Sequence, residues 1–412
     1  MNDMIPEILQ NPLYLVQGAP GSGKTQIAID TALSAYKRGE RVIFVTTSNT
    51  QSFDIARRIS HIAPKTRVLL YHRSDLQVPN LLFDEGVHMA TETNLFQEDP
   101  CIVLGNASKW AWVKEPIPHF NLMIIDDASS VRESLFMQIS GLANRYLIIH
   151  GTIPIPPIIR SNTQRWAHMP IAPHHSISQS IVPQKPAQTI IDHTFRLPQD
   201  TINILYPHVF GYSINSNSEK RRIHIPSPPS PLWECITKGA SLSLGLFPES
   251  NDEEIAIWIA DNIRMLLSQE TILEDSRMRG RLSPAKIGIV CAEHTQVLLM
   301  EKALGPLADQ IIIDIHLHQN SVERALVFAF HPINGLKHPS RYSWDISQLE
   351  LLTTRHRVAC ILVSRPLIHS RPSSNRDIYD QTDSLLDGYN AHRNLIQALS
   401  ERTFIHNKQH IS

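Results

Sequence analysis

Apolar and polar positions along the first half of the chain sort into short unbroken apolar runs and longer amphipathic ones. "LYLVQG" at residues 13–18 is an apolar run of strand length, and "KTQIAIDTALSAYKRG" has helical spacing, with Gly39 near its end. "RVIFVTT" returns to strand and "TQSFDIARRISHI" to helix; "PCIVLGNASKW", "FNLMIIDDASS" and "ANRYLIIHGT" then each end an apolar run in small or polar residues. Wholly apolar strands separated by helices imply a parallel sheet with crossover connections, and in such sheets ligands gather at the carboxyl ends of the strands. The pattern breaks at "HIPSPPSPLW" (residues 224–233) and restarts with "LSLGLF", "NDEEIAIWIADNIRMLL", "KIGIVCA", "QIIIDI", "ERALVFAF" and "ACILVSR". The expectation is an α/β protein with two domains, residues 1–208 and 209–385, each a mainly parallel sheet flanked by helices. A loop around residues 371–383 leads to a C-terminal helix and tail over 386–412.

The length of 412 residues exceeds what one ordinary core organises, which agrees with two domains. A hydrophobic fraction of 42% and a charged fraction of 19% suit a soluble protein, and no apolar run approaches the roughly 18 residues needed to span a bilayer. The first residues lack a basic signal-peptide region, so the expected location is the cytoplasm. Cys101, Cys235, Cys291 and Cys360 stand singly, without the close pairs of a zinc site or disulfide framework. A net charge of -1 advertises no polyanion partner, although a local basic channel is compatible with it.

Gly18-Ala19-Pro20-Gly21-Ser22-Gly23-Lys24-Thr25 fits G-x-x-x-x-G-K-[ST] between an expected strand and an expected helix. Glycines at 18, 21 and 23 let backbone N–H groups, that of Ser22 among them, turn toward phosphate oxygens. Lys24 neutralises the β- and γ-phosphates, and the Thr25 hydroxyl ligates Mg²⁺. Downstream, Asp126 closes "LMIID" and would hold Mg²⁺ through water, while Asp127 would orient the attacking water. The bland alternative for this pair is an acidic strand end on the surface.

"VQGAPGSGKT", "VTTSN", "IIDDAS", "HTFRL" and "LLTTRHRVACILVSR" resemble, in order, motifs I, Ia, II, IV and VI of superfamily 1 helicases. The branch resembled is that of the nonsense-mediated-decay RNA helicase. Within it the chain is most similar to bacterial AAA-domain ATP-binding proteins, through "ASKW", "RWAHMPIAPH" and "FHPI". The resemblance spans about Leu13 to Arg365 and implies two RecA-like P-loop domains, ATP and Mg²⁺ as cofactors, and single-stranded DNA or RNA as partner. It implies that Phe195 stacks on the base, that Arg196 reaches the γ-phosphate and that Arg355 is an arginine finger spreading charge over the transition state. Glu323 lies near the acid that contacts ribose. Structural ion pairs are the alternative for both arginines, and a solvated strand edge is the alternative for Glu323. Thr47, Ser48 and Asn49 match the loop that touches phosphates and sugars; Asn106, Lys109 and Trp110 follow the third strand, where Trp110 would stack on a base. The alternative there is that Trp110 packs in the core and the polar residues cap helices.

Four departures from the family accompany these matches. Asp127 replaces the usual Glu; "HGTIPIPP" at residues 150–157 lacks the γ-phosphate-sensing Gln; Gln319-Asn320 replaces Gln-Gly; and the adenine-reading Gln has only Gln10 as a candidate. The functional expectation is a motor-like ATPase on single-stranded nucleic acid. The rival is an ATP-binding switch acting on a protein partner, and a small-molecule P-loop kinase is a more distant third.

Overall fold

The computed structural model describes residues 4–75, 86–92, 96, 100–113, 117, 119–153, 157, 164–166, 169, 172–181, 184–274, 279–315, 323–332, 344–366 and 382–406, and the account below concerns these. The expected Gln319-Asn320 motif lies outside them. The chain divides into two compact units, Met1–Ile191 and Asp192–Ser412. Phe195 and Arg196 therefore belong to the second unit.

The first unit is built on β1 (Leu13–Gly18), β2 (Val42–Thr46), β3 (Val68–Tyr71), β4 (His88–Ala90), β5 (Ile102–Asn106), β6 (Leu122–Ile125), β7 (Tyr146–Gly151) and β8 (Ala187–Ile191). They form one sheet in the order β4-β3-β5-β2-β6-β7-β1-β8. All of its pairings are parallel. Apolar residues on both sides of the inner strands explain this architecture. Val16, Phe44, Leu70, Leu104, Ile124 and Ile149 pack on one face with the helices Ile5–Gln10, Lys24–Lys37 and Asn49–Ile62. Leu15, Ile43, Leu69, Val103, Ile125 and Ile148 pack on the other with Trp110, Ile139 and Ile177. A strand buried on both faces has no polar side to alternate, which is why its sequence reads as a continuous apolar run.

The second unit holds β9 (His193–Thr194), β10 (Asn215–Ser216), β11 (Arg222–His224), β12 (Leu242–Leu246), β13 (Ile272–Glu274), β14 (Arg279–Arg281), β15 (Ile287–Val290), β16 (Ile312–Asp314), β17 (Arg324–Phe330), β18 (His356–Ser364) and β19 (Thr403–Ile405). Its main sheet runs β16-β15-β17-β18-β12-β19, again wholly parallel. Ile289, Phe328, Ile361 and Val363 carry one face into a core with Trp233, Ile255, Ile259 and Met300 of the covering helices. Helix Asp252–Ser268 starts with a capping box between Asn251 and Glu254, which satisfies two otherwise orphaned backbone donors. The two mainly parallel, helix-flanked sheets are those the hydrophobic pattern implies, and strand β1 has the expected limits. No helix among the described residues is long and apolar enough to cross a membrane.

Candidate nucleotide and strand site

The candidate residues of the first unit converge because β1, β2, β5, β6 and β7 all end at the same edge of a parallel sheet. Strand β1 stops at Gly18, the loop turns through Gly21 (φ 75°) and Gly23 (φ 89°), and helix Lys24–Lys37 begins. A side chain would be strained at those two left-handed positions. At Gly18 the obstacle is space, since a Cβ there would lie 2.6 Å from Ser22 Oγ and 3.1 Å from Ile191 Cβ. Lys24 Nζ donates to the carbonyls of Gly18 (2.7 Å) and Ala19 (2.9 Å), so the ammonium is held across the loop.

The Thr25 hydroxyl donates to Asp126 Oδ2 at 2.8 Å, joining the start of the helix to the end of β6 across the intervening β7. Asp126 is 1% exposed. Burial and the adjacent Asp127 carboxylate push its carboxyl well above the usual carboxylate range, against the pull of the Thr25 hydrogen bond and the Lys24 charge. A buried acid beside a second acid, with a hydroxyl already at hydrogen-bond distance, is a donor set that a divalent cation would satisfy, so Thr25 and Asp126 fit Mg²⁺. Asp127 sits at φ 57°, ψ 45°, a left-handed conformation that costs a non-glycine residue on the order of 1 kcal/mol and recurs at functional positions.

Two residues of this site escape the sequence reading. Gln51, 4% exposed, donates through Nε2 to Asp127 Oδ2 (3.1 Å) and Asp126 Oδ2 (3.3 Å), and accepts through Oε1 from Thr47 N (3.0 Å) and Thr47 Oγ1 (3.1 Å). His150 lies one residue from the end of β7, in register with Gln17 beside the phosphate loop. Its Nδ1 is 2.7 Å from the Gly151 carbonyl, which can only accept, so Nδ1 carries the proton. The buried Nε2 has no hydrogen-bond partner, and burial together with the nearby Lys24 charge lowers the pKa of the ring. This imidazole opens "HGTIPIPP", the stretch expected from sequence to replace a sensing motif.

The strand-binding candidates are also brought together. Ser48 caps helix Asn49–Ile62 by accepting from Gln51 N, and Asn49 Oδ1 accepts from Asn106 Nδ2 at 2.6 Å. Asn106 caps the helix Ala107–Ala111 by accepting from Lys109 N at 2.7 Å. Lys109 Nζ lies over the Tyr71 ring, 4.2 Å from its centroid, and desolvation lowers its pKa. Trp110 takes the packing alternative. Only 1% exposed, its ring is 4.9 Å from Tyr71, 5.7 Å from Phe96 and 5.9 Å from Phe120, so it offers no face for base stacking. Trp112, two residues on, is 74% exposed.

In the second unit the structure joins Arg196 and Glu323 as an ion pair, with Arg196 Nε 2.8 Å from Oε1, while Arg357 Nε lies 3.0 Å from Oε2. Arg196 Nη1 also donates to the Thr354 carbonyl, and Arg221 Nη1 to that of Arg196. Burial would raise the Glu323 pKa, but Arg196, Arg357 and Arg221 outweigh it and hold the carboxyl below its ordinary value. Arg355 is partly buried at the start of β18, where its carbonyl accepts from Arg324 N. Phe195 is 38% exposed, its ring 5.0 Å edge-on from His193.

No family model and no curated protein matches the chain. Among solved structures it is similar to an arterivirus nonstructural protein 10 helicase in complex with DNA, at 8% identity and a TM-score of 0.47, covering 89% of this chain and 64% of that one. It is similar also to the PRRSV helicase (10% identity, TM-score 0.45, 89% and 55% covered). The E. coli DExH-box NTPase HrpB is a further such structure (12% identity, TM-score 0.41, 88% and 40% covered). The chain thus spans less than two thirds of the length of each, and likeness of this degree carries no argument about activity.

Proposed function

We propose that this chain is a Mg²⁺-dependent ATPase of the superfamily 1 helicase type, acting as a motor on single-stranded nucleic acid. The order of its motifs supports the branch of the nonsense-mediated-decay helicase. The observation that carries the proposal is the Thr25–Asp126 hydrogen bond of 2.8 Å at the carboxyl edge of a parallel sheet, beside a Lys24 ammonium held across the loop by the Gly18 and Ala19 carbonyls. Backbone N–H groups of the Gly18–Thr25 loop and Lys24 bind the phosphates; Thr25 and Asp126 hold the cation, which supplies charge neutralisation at the phosphate oxygens; Asp127 orients water. Arg196 and Arg355 supply transition-state charge, which requires Arg196 to exchange Glu323 for a phosphate. Thr47, Ser48, Asn49, Asn106 and Lys109 grip the backbone of the strand, and Trp112, rather than Trp110, stacks on a base.

The test is steady-state ATP hydrolysis with and without single-stranded DNA and RNA, beside Lys24→Ala. Strand-stimulated turnover that the variant loses by at least about 100-fold is expected. Tight ATP binding with no turnover under any strand condition would replace the motor by a second reading, an ATP-binding switch that regulates a protein partner. The observation favouring that reading is Asp127, one methylene shorter than the family's Glu and already engaged by Gln51 at 3.1 Å.

A further inference from the structure

We propose that Gln51 is the coupling element between the strand-gripping loop and the catalytic acids, a positioning residue that transmits strand occupancy to Asp126 and Asp127. This rests on the motor reading above and specifies how its two halves communicate. The family's sensing Gln is missing from "HGTIPIPP", yet a buried amide still reaches the acid pair from another element.

The orientation of the amide is determined by chemistry. Thr47 N can only donate, so the atom 3.0 Å from it is the amide oxygen, and the nitrogen therefore faces the carboxylates. One end of a single planar group is thus bonded to the backbone and hydroxyl of a strand-contacting residue, and the other end to both acids. Any shift of Thr47 on gripping a phosphate must either drag the amide or break its bonds, and either event changes the donor available to Asp127. A packed chain of hydrogen bonds between two sites is the physical form in which coupling travels.

A purely structural role makes a different prediction. Gln51 is the third residue of helix Asn49–Ile62, whose cap is Ser48, and a third-position side chain commonly bonds back to the entering backbone. That duty uses only the oxygen. Gln51→Glu keeps an acceptor for Thr47 N but turns a carboxylate oxygen toward the acids in place of the donor, while Gln51→Met removes the donor without adding charge, so the two together separate capping from coupling.

The experiment measures strand affinity by fluorescence anisotropy with and without a non-hydrolysable ATP analogue. Wild type, Gln51→Glu and the near-isosteric Gln51→Met are compared, each at an analogue concentration shown to saturate it. In the wild type the analogue should change strand affinity by roughly 5- to 150-fold, and in both variants that ratio should fall to within about twofold of one. A Gln51→Glu ratio equal to that of the wild type overturns the proposal and leaves Gln51 a helix cap. Loss of analogue binding in both variants also overturns it, making Gln51 part of the cation site. A wild type whose strand affinity ignores the analogue defeats the motor reading itself, a result distinct from the other two.

Discussion

At the scale of single residues, Asp127 and the tryptophan pair give the most direct tests. If the shortened acid limits turnover, Asp127→Glu should raise the strand-stimulated rate, by up to about 100-fold, since a displacement near 1 Å can cost that much; an unchanged rate would show that another group orients the water. Trp112→Ala should weaken strand binding by about 1–3 kcal/mol in an anisotropy titration while leaving the melting temperature in place. Trp110→Ala should do the reverse and lower stability by about 3–5 kcal/mol, because it empties a site among Tyr71, Phe96 and Phe120. These pairs also mark the limit of what is legible in sequence. The phosphate loop is contiguous, so its eight residues announce themselves in order. Trp110 and Trp112 stand on the same short stretch, and only partners from distant segments decide which is buried. Gln51 is equally silent, because its acid partners lie 75 and 76 positions away and a glutamine early in a helix reads as any solvated polar residue.

At the scale of elements, the sheets were legible and the histidines in their surroundings were not. Apolar runs such as "LYLVQG" declare a strand buried on both faces, whereas nothing local marks His331, His356 and His392 as fully buried. His356 Nε2 meets Thr201 Oγ1 at 2.7 Å, and His392 Nδ1 lies 3.0 Å from His331 Nε2. Burial lowers His331 and His356 to about 3, and His392, burdened also by its neighbour His331, falls well below its ordinary value. Above pH about 7.5 these rings are neutral whether folded or unfolded, and they contribute no pH dependence. Below it the unfolded chain takes up protons that the folded one refuses, so stability falls with pH from about 7.5 toward 3. The slope is on the order of 1.4 kcal/mol per pH unit for each ring. Urea denaturation at pH 8.5, 7.5 and 5.5, read on the transition of Asp192–Ser412, should show little loss over the first interval and a steep loss over the second, and His356→Gln should flatten the second. Gly388, within the helix Thr382–Ala398, is explained by proximity, since a Cβ there would collide with the Trp344 carbonyl. Gly388→Ala should cost about 1–3 kcal/mol by the same denaturation.

At the scale of the whole molecule, two compact units with their own cores predict two unfolding transitions. Nucleotide should stabilise most the one belonging to Met1–Ile191, which carries Lys24, Thr25 and Asp126. An ATP analogue with Mg²⁺ at about 100 times its Kd should add about 2.7 kcal/mol to that transition in calorimetry, an increment that Lys24→Ala abolishes. The arginines of the second unit show why fold was easier to read than function. Arg355 and Arg196 are assigned by resemblance to transition-state roles, yet a salt bridge such as Arg196–Glu323 depends on which carboxylate tertiary folding brings within 2.8 Å.

The position of β1 in its sheet bears on how the protein is made. Its neighbours are β7 and β8, with Leu13 opposite Tyr146 and Tyr14 opposite Ala187. A ribosome adding about 5–20 residues per second needs roughly ten to thirty seconds after releasing β1 before it delivers both partners. For most of that interval, until β7 emerges, an apolar segment waits unpaired in the nascent chain, with the phosphate loop attached to it. Such a segment is a natural client for chaperones during synthesis, and Thr25 has no acid partner until Asp126, 101 positions on, has emerged.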